Sequence, residues 1–157
     1  AKSLLARVAE ELLPSFSGIS LCLETMGKLN QLGTVDEIIS LCQVDRAYIP
    51  AVDFGHLHAR GMGAITDLDE YEEILNRIDL GLGGGIVQVL HVHFSAIEFS
   101  RGGEVRHRTF AESEYGPDFQ PLAAIIARDS LTPVIISESA GFQNEDALVM
   151  KEMVQRQ

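Results

Sequence analysis

Four short apolar runs alternate with segments of helical periodicity along this chain, and that alternation leaves few architectures open. The runs are GISLCLETM, AYIPAVDF, IVQVLHVHF and TPVIISES. A continuous apolar stretch of this length is the mark of a strand buried in a parallel sheet. Between them lie helical patterns. Leu5, Val8 and Leu12 recur at helical spacing before Pro14, and Thr34 with Glu37 forms a T-x-x-E capping box ahead of VDEIISLCQ. Leu68, Tyr71, Leu75 and Ile78 share one face of DLDEYEEILNRI. Pro121 falls in the first turn of a helix preceded by Asp118, and NEDALVMKEMV closes the chain as a helix. GHLHARGMG, residues 55–63, and the long stretch SAIEFSRGGEVRHRTFAESEYG read as loops. The expectation is a helix followed by four strand–loop–helix units, with parallel strands near residues 18–24, 47–53, 86–94 and 133–138 joined by right-handed crossovers.

Such a pattern closes into a barrel or opens into a doubly wound sheet. No glycine-rich phosphate loop follows the first strand, as a nucleotide-binding open sheet would usually show. Every strand instead ends in a potential metal ligand, which suits convergence on one axis. A complete (β/α)8 barrel needs about 250 residues. The 157 residues are therefore expected to form a single domain, the C-terminal half of an α/β (β/α)8 TIM barrel, with the N-terminal half absent. A half-barrel has two open strand edges, so the isolated chain is expected to pair with a copy of itself as a homodimer.

Side chains alternate across a strand. If the apolar set faces the helices, Glu24, Asp53, His93 and Glu138 all point to the axis at the C-terminal mouth. Three converging carboxylates with no Lys or Arg beside them repel one another, and a divalent cation is the usual resolution. Without one, at least one of those carboxyls is expected to titrate high. Mixed imidazole and carboxylate ligands suit zinc, manganese, iron or cobalt better than calcium. His56, on the loop leaving the second strand, and His107, in the long loop, can also reach the mouth. His91 lies one layer deeper, and His58 reads as a loop residue. A solitary acid at a strand end is most often a cap or a solvated charge; four strands ending alike are harder to explain that way. Glu138, the last strand's one polar inward side chain, is the expected catalytic residue as well as a ligand.

Composition narrows the partners. The net charge is −11, which disfavours a general nucleic-acid binder because phosphate contacts need clustered Lys and Arg. It leaves room for a nuclease whose carboxylates carry metal ions. No window approaches the roughly 18 apolar residues of a membrane span. Cys22 and Cys42 sit in apolar runs and are expected to be reduced, buried core residues, in keeping with a cytoplasmic protein.

The order of these segments resembles the endonuclease IV family of type 2 apurinic/apyrimidinic endonucleases, xylose-isomerase-like TIM barrels. LCLETMGKLNQLGTVDEI resembles that family's strand-five segment, VDFGHLHARG its Asp-x-x-His segment, HVHFS its strand-seven segment, VRHRTF its Arg-His loop and VIISES its strand-eight glutamate. The resemblance implies a hydrolase of DNA repair. Several metal ions, usually zinc, would be held by Glu24, Asp53, His56, His93, His107 and Glu138, and the phosphodiester would be cut on the 5′ side of an abasic site. It implies that Glu24, Asp53, His93 and Glu138 make one metal site, with Glu24 and Asp53 as bridges, and that His56 and His107 belong to a second. It also implies that an N-terminal half supplies two further histidines, so that this half alone is inactive. The family carries an Asp two residues before the loop histidine; here that position is Val105, with Glu104 beside it, so either Glu104 substitutes or the second site is weak. A different class is equally compatible with the strand-end pattern: a sugar isomerase or epimerase of the related barrels, which holds one divalent ion with Glu, Asp, His and Glu. The acidic balance favours that alternative. A third reading is an inactive half-barrel that folds by dimerising.

Overall fold

A computed structural model describes every residue except Ser17 and Gly84. Helix α1 (Lys2–Glu11) precedes strand β1 (Leu21–Glu24), helix α2 (Val35–Cys42), strand β2 (Tyr48–Asp53) and helices α3 (Phe54–Arg60) and α4 (Leu68–Leu82). Strand β3 (His91–Phe94) leads into a hairpin of β4 (Ala96–Ser100) and β5 (Gly103–Arg108). Helix α5 (Gln120–Arg128), strand β6 (Val134–Ser137) and helix α6 (Gln143–Gln155) complete the chain. The main sheet is parallel in the order β1-β2-β3-β6, so the protein is a mixed α/β fold with a four-stranded parallel sheet. Among the described residues, no helix is long and apolar enough to cross a membrane.

One face of the sheet is packed and the other is open. Val52, Val92, Phe94 and Ile135 point into a core built with Tyr71, Ile74, Leu75 and Ile78 of α4, Leu122, Ile125 and Ile126 of α5 and Met150 of α6. Leu21, Leu23 and Tyr48 pack on Ile38, Leu41 and Cys42 of α2, with Leu5 and Ala9 of α1. The capping box of α2 forms as expected: Thr34 Oγ1 accepts from the Glu37 amide, and the Glu37 carboxylate accepts from the Thr34 amide. The Gly33 amide, together with that of Thr34, donates to the Glu37 carboxylate and holds its carboxyl down at about 2. The opposite face carries Cys22, Ile49, His91, Val134 and Ile136, of which Val134 is 55% and Ile136 43% exposed.

Four local expectations change. The third strand begins only at His91, because Ile86–Val89 form a 3₁₀ turn after the left-handed Gly85. The segment after β2 is a helix rather than a loop. Asp53 is its N-cap, its Oδ1 accepting from the His56 amide at 2.7 Å, and a capped turn needs no loop before it. The long stretch after β3 contains the antiparallel β4–β5 hairpin, turning at Arg101 and Gly102. Cys22 is exposed, because its side of β1 is the uncovered face; Cys42 is buried, burial raises its thiol to about 11, and both cysteines are free.

Candidate metal centre

Parallel strands in near-equal register bring their C-terminal ends to one edge. Glu24 pairs with Ala51 and Asp53 with His93 across the sheet, and Glu138 follows two residues after Ile136, the register partner of His93. Alternation then sends Glu24, Asp53, His93 and Glu138 to the same side. Their ligand-type atoms converge: one donor atom from each of the four lies within 4.8 Å of the others. A second group with the same property consists of Asp53, His56, His107 and Glu138. All six residues expected at the mouth are thus gathered there. The residues common to the two groups are Asp53 and Glu138, whereas the resemblance implied Glu24 and Asp53 as bridges. Glu24 comes from the edge strand on the far side from His107, which takes it out of the second group.

The contacts are those of donors waiting for a shared partner. His93 Nδ1 lies 3.1 Å from Glu24 Oε1 and 3.1 Å from Glu138 Oε1. His107 Nε2 is 3.5 Å from Glu138 Oε2. His56 Nδ1 is 3.4 Å from Glu24 Oε1 and 3.5 Å from Asp53 Oδ2. Four-coordinate zinc with bonds of about 2.0–2.2 Å separates its ligands by about 3.3–3.6 Å; the His107–Glu138 distance falls in that range, whereas the two 3.1 Å contacts of His93 are hydrogen-bond distances. Asp53 supplies a separate test. It is fully buried, and its Oδ2 has no hydrogen-bond partner. A buried carboxylate oxygen left unpaired costs free energy that a native site normally avoids. A cation among these donors removes the deficit, so the residues fit a metal ion.

Electrostatics without the ion show the same strain. Burial pushes the Asp53 carboxyl above its ordinary range, and the Glu138 charge adds to that. Hydrogen bonds to Glu138 and then Glu24 hold the His93 imidazole up at about 10, and the same bond to His93 holds Glu138 below the usual carboxylate value. The His93 imidazolium is thus paired with the carboxylates of Glu138 and Glu24. The raised Asp53 carboxyl meets the expectation that one of the group titrates high.

A supporting layer orients the ligands. Thr25 is buried next to Glu24 and grips the Asp53 backbone twice: its Oγ1 accepts from the Asp53 amide at 2.9 Å and donates to the Asp53 carbonyl at 3.2 Å. Its own carbonyl lies 2.9 Å from His56 Nδ1, which turns Nε2 of that ring outward. This is the physical content of a Glu-Thr pair followed by Asp-x-x-His. The buried Ser95 hydroxyl lies 2.7 Å from His107 Nδ1 and leaves Nε2 facing Glu138. Thr25 was visible only as part of the Glu-Thr resemblance, and Ser95 did not stand out in the sequence, because a hydroxyl beside a strand end has no pattern of its own. His58 takes no part: its Nδ1 meets the Ile65 carbonyl at 2.9 Å, its ring packs edge-on to Phe99, and burial lowers its pKa. His91 sits below His93 with ring centroids 5.2 Å apart, on the uncovered face rather than in the core.

No family model matches the sequence. The chain is similar to an uncharacterized protein of Methanocaldococcus jannaschii, 31% identical over 150 residues that make up 96% of this chain and 54% of that protein. It therefore spans about half the length of this relative.

Proposed function

We propose that the chain is the C-terminal half of a (β/α)8 barrel of the endonuclease IV type. In this reading it supplies most of the metal centre of an enzyme that hydrolyses DNA phosphodiesters at abasic sites. The carrying observation is the pair of donor groups that share Asp53 and Glu138. Two adjoining cation positions with common carboxylates are the arrangement used to clamp a phosphodiester from both sides. The uncovered sheet face and the two free strand edges support the half-barrel, since both are what barrel closure would consume.

The ions, zinc in the first instance and manganese as an alternative, would polarise the phosphoryl oxygens, activate water and stabilise the leaving alkoxide. The chain's own groups set the stage for that. Asp53 is locked by Thr25 and by its role as N-cap, so its two oxygens have separate tasks: Oδ1 holds the α3 turn and Oδ2 faces the centre. Glu138 reaches toward His93 with one oxygen and toward His107 with the other, which places it across both positions. His93 must lose its Nδ1–H proton to solvent before that nitrogen can act as a ligand. Free thiols at Cys22 and Cys42 agree with a cytoplasmic setting.

The test is a duplex with a single abasic site, incubated with the complete barrel loaded with Zn²⁺ or Mn²⁺. Cleavage 5′ to the lesion, lost on Glu138→Gln, is the expected result. Isomerisation or epimerisation of a free sugar without any strand cleavage would overturn it in favour of the sugar-directed alternative, which the net charge of −11 favours.

A further inference from the structure

Arg60 ends helix α3 one turn beyond His56, so the two side chains lie on the same face of that helix. Both reach the chain that leaves β1. His56 Nδ1 lies 2.9 Å from the Thr25 carbonyl. Arg60 Nη1 takes the next carbonyl, that of Met26, at 3.1 Å, and those of Lys28 and Gln31 at 2.8 and 3.0 Å. One partly buried guanidinium thus gathers three carbonyls of a single loop. A carbonyl only accepts, so Nδ1 of His56 carries the proton and Nε2 keeps its lone pair.

The sheet stops short of this loop. The Thr25 amide still donates across the sheet to the Ala51 carbonyl at 3.1 Å. The Met26 amide instead donates to the Gly33 carbonyl at 3.0 Å, which closes the loop on itself. That closure needs glycine, since a Cβ on residue 33 would stand 2.5 Å from the Met26 nitrogen. From there the carbonyls alternate in direction. Gly27 faces the β4–β5 hairpin and accepts from the Glu104 amide at 3.2 Å, whereas Met26 and Lys28 on either side of it face Arg60. Carbonyl oxygens converging on one point repel one another, and a cation with several donors holds them together. Without that cation they turn to water, and the Thr25 carbonyl, one residue before Met26, loses its fixed direction.

Resting on the metal-centre reading, we propose that Arg60 is a positioning residue for His56: by holding the loop after β1 it keeps the Thr25 carbonyl on Nδ1 and so leaves Nε2 open to a cation. The two donor groups feel this unequally. The group of Asp53, His56, His107 and Glu138 contains His56, and the group of Glu24, Asp53, His93 and Glu138 does not. Glu24 lies inside the sheet opposite Ala51, and the Thr25 hydroxyl grips the Asp53 backbone ahead of the loop. Both are therefore held without Arg60.

The experiment compares the protein with Arg60→Gln, which removes the charge and leaves one amide donor, with circular dichroism to confirm folding. Long-range nitrogen–proton NMR correlations of the histidine rings, recorded on metal-free protein in alkaline buffer, tell an Nδ1–H ring from an Nε2–H ring. His56 should be Nδ1–H in the parent and a mixture of both in the variant. Titration with Zn²⁺ and, for its absorption bands, Co²⁺ should show one cation position weakened by about 10–100-fold, the usual cost of losing an outer partner of a ligand, and the other unchanged. A merely structural role would lower the melting temperature and leave the His56 tautomer as it was; that result overturns the proposal, and so does equal weakening of both positions. Should Arg60→Gln not fold, Arg60→Lys serves. Its ammonium is one bond too short to span the same three carbonyls, and a parental His56 pattern in that variant overturns the proposal as well. A parent that takes no metal counts against the metal-centre reading, and the tautomer measurement still decides the role of Arg60.

Discussion

Replacing Asp53 by Asn should stabilise the metal-free protein while removing its capacity for metal. Asp53 is fully buried, and one carboxylate oxygen has no partner. An unsatisfied buried polar group costs about 1–3 kcal/mol, and a charged one more. The amide keeps the N-cap, since Asn caps as well as Asp. It places a donor where Oδ2 was, among the carboxylates of Glu24 and Glu138 that share its group. A gain of about 2 kcal/mol is expected, which for a domain of this size is roughly 4–8 °C in Tm. The pH dependence carries a sign. Burial raises the folded-state Asp53 carboxyl above its ordinary value of 3.8, so the native state binds the proton more tightly than the unfolded chain. Stability from this group is full below that value and is lost as pH rises through the raised folded value. The variant lacks the loss, so its advantage should be small near pH 4 and larger at neutral pH. Thermal melts of both proteins, stripped of metal and matched in concentration, read the difference, and equilibrium dialysis against Zn²⁺ reads the binding. A variant less stable than the parent at neutral pH, or one that still binds metal at parental affinity, would refute the reasoning that Asp53 is strained in order to hold an ion.

His93 sets a second pH dependence: its folded value of about 10 against 6.5 means that its contribution to metal-free stability is complete below pH 6.5 and disappears toward pH 10. Metal must displace that proton from the folded protein, so affinity should climb with pH up to about 10 with proton release in a weakly buffered titration, and a flat affinity would contradict it. The uncovered face with Val134 at 55% and Ile136 at 43% exposure, beside the free edges of β1 and β6, should make the isolated chain associate; a clean monomer by sedimentation that binds no apolar dye would contradict it.

How much of this was legible before any coordinates depends on the range of the interaction. Strand and helix order follows from periodicity and capping, which are properties of neighbouring residues. The parallel sheet follows from the alternation of those elements, because crossovers of this length cannot build anything else easily. That Glu24, Asp53, His93 and Glu138 share a face is legible for the same reason: one period of two, applied to four strand ends. Cys22 shows where such reading stops. An apolar run says that a strand is buried on at least one side, not which side lacks a cover.

The rest belonged to contacts between distant segments. Asp53 reads as a strand-end acid and candidate ligand, and only the chain's turn into α3 makes it a cap as well. Thr25 and Ser95 gain their roles from partners 28 and 12 residues away. The β4–β5 hairpin was hidden because charged residues at Glu98, Arg106 and Arg108 mask its alternation, and their mutual ion pairs exist only once the strands face each other. Glu104 is the sharpest case. The stretch reads as a loop, and only the register shift opposite Phe99 and the close fit of Gly27 against Glu104 bring its carboxylate within 3.6 Å of His56. Local propensity and alternation thus determined which elements exist and which four side chains meet, while register and close backbone packing decided which further side chains join them, since those depend on distances between segments that no single stretch of sequence encodes.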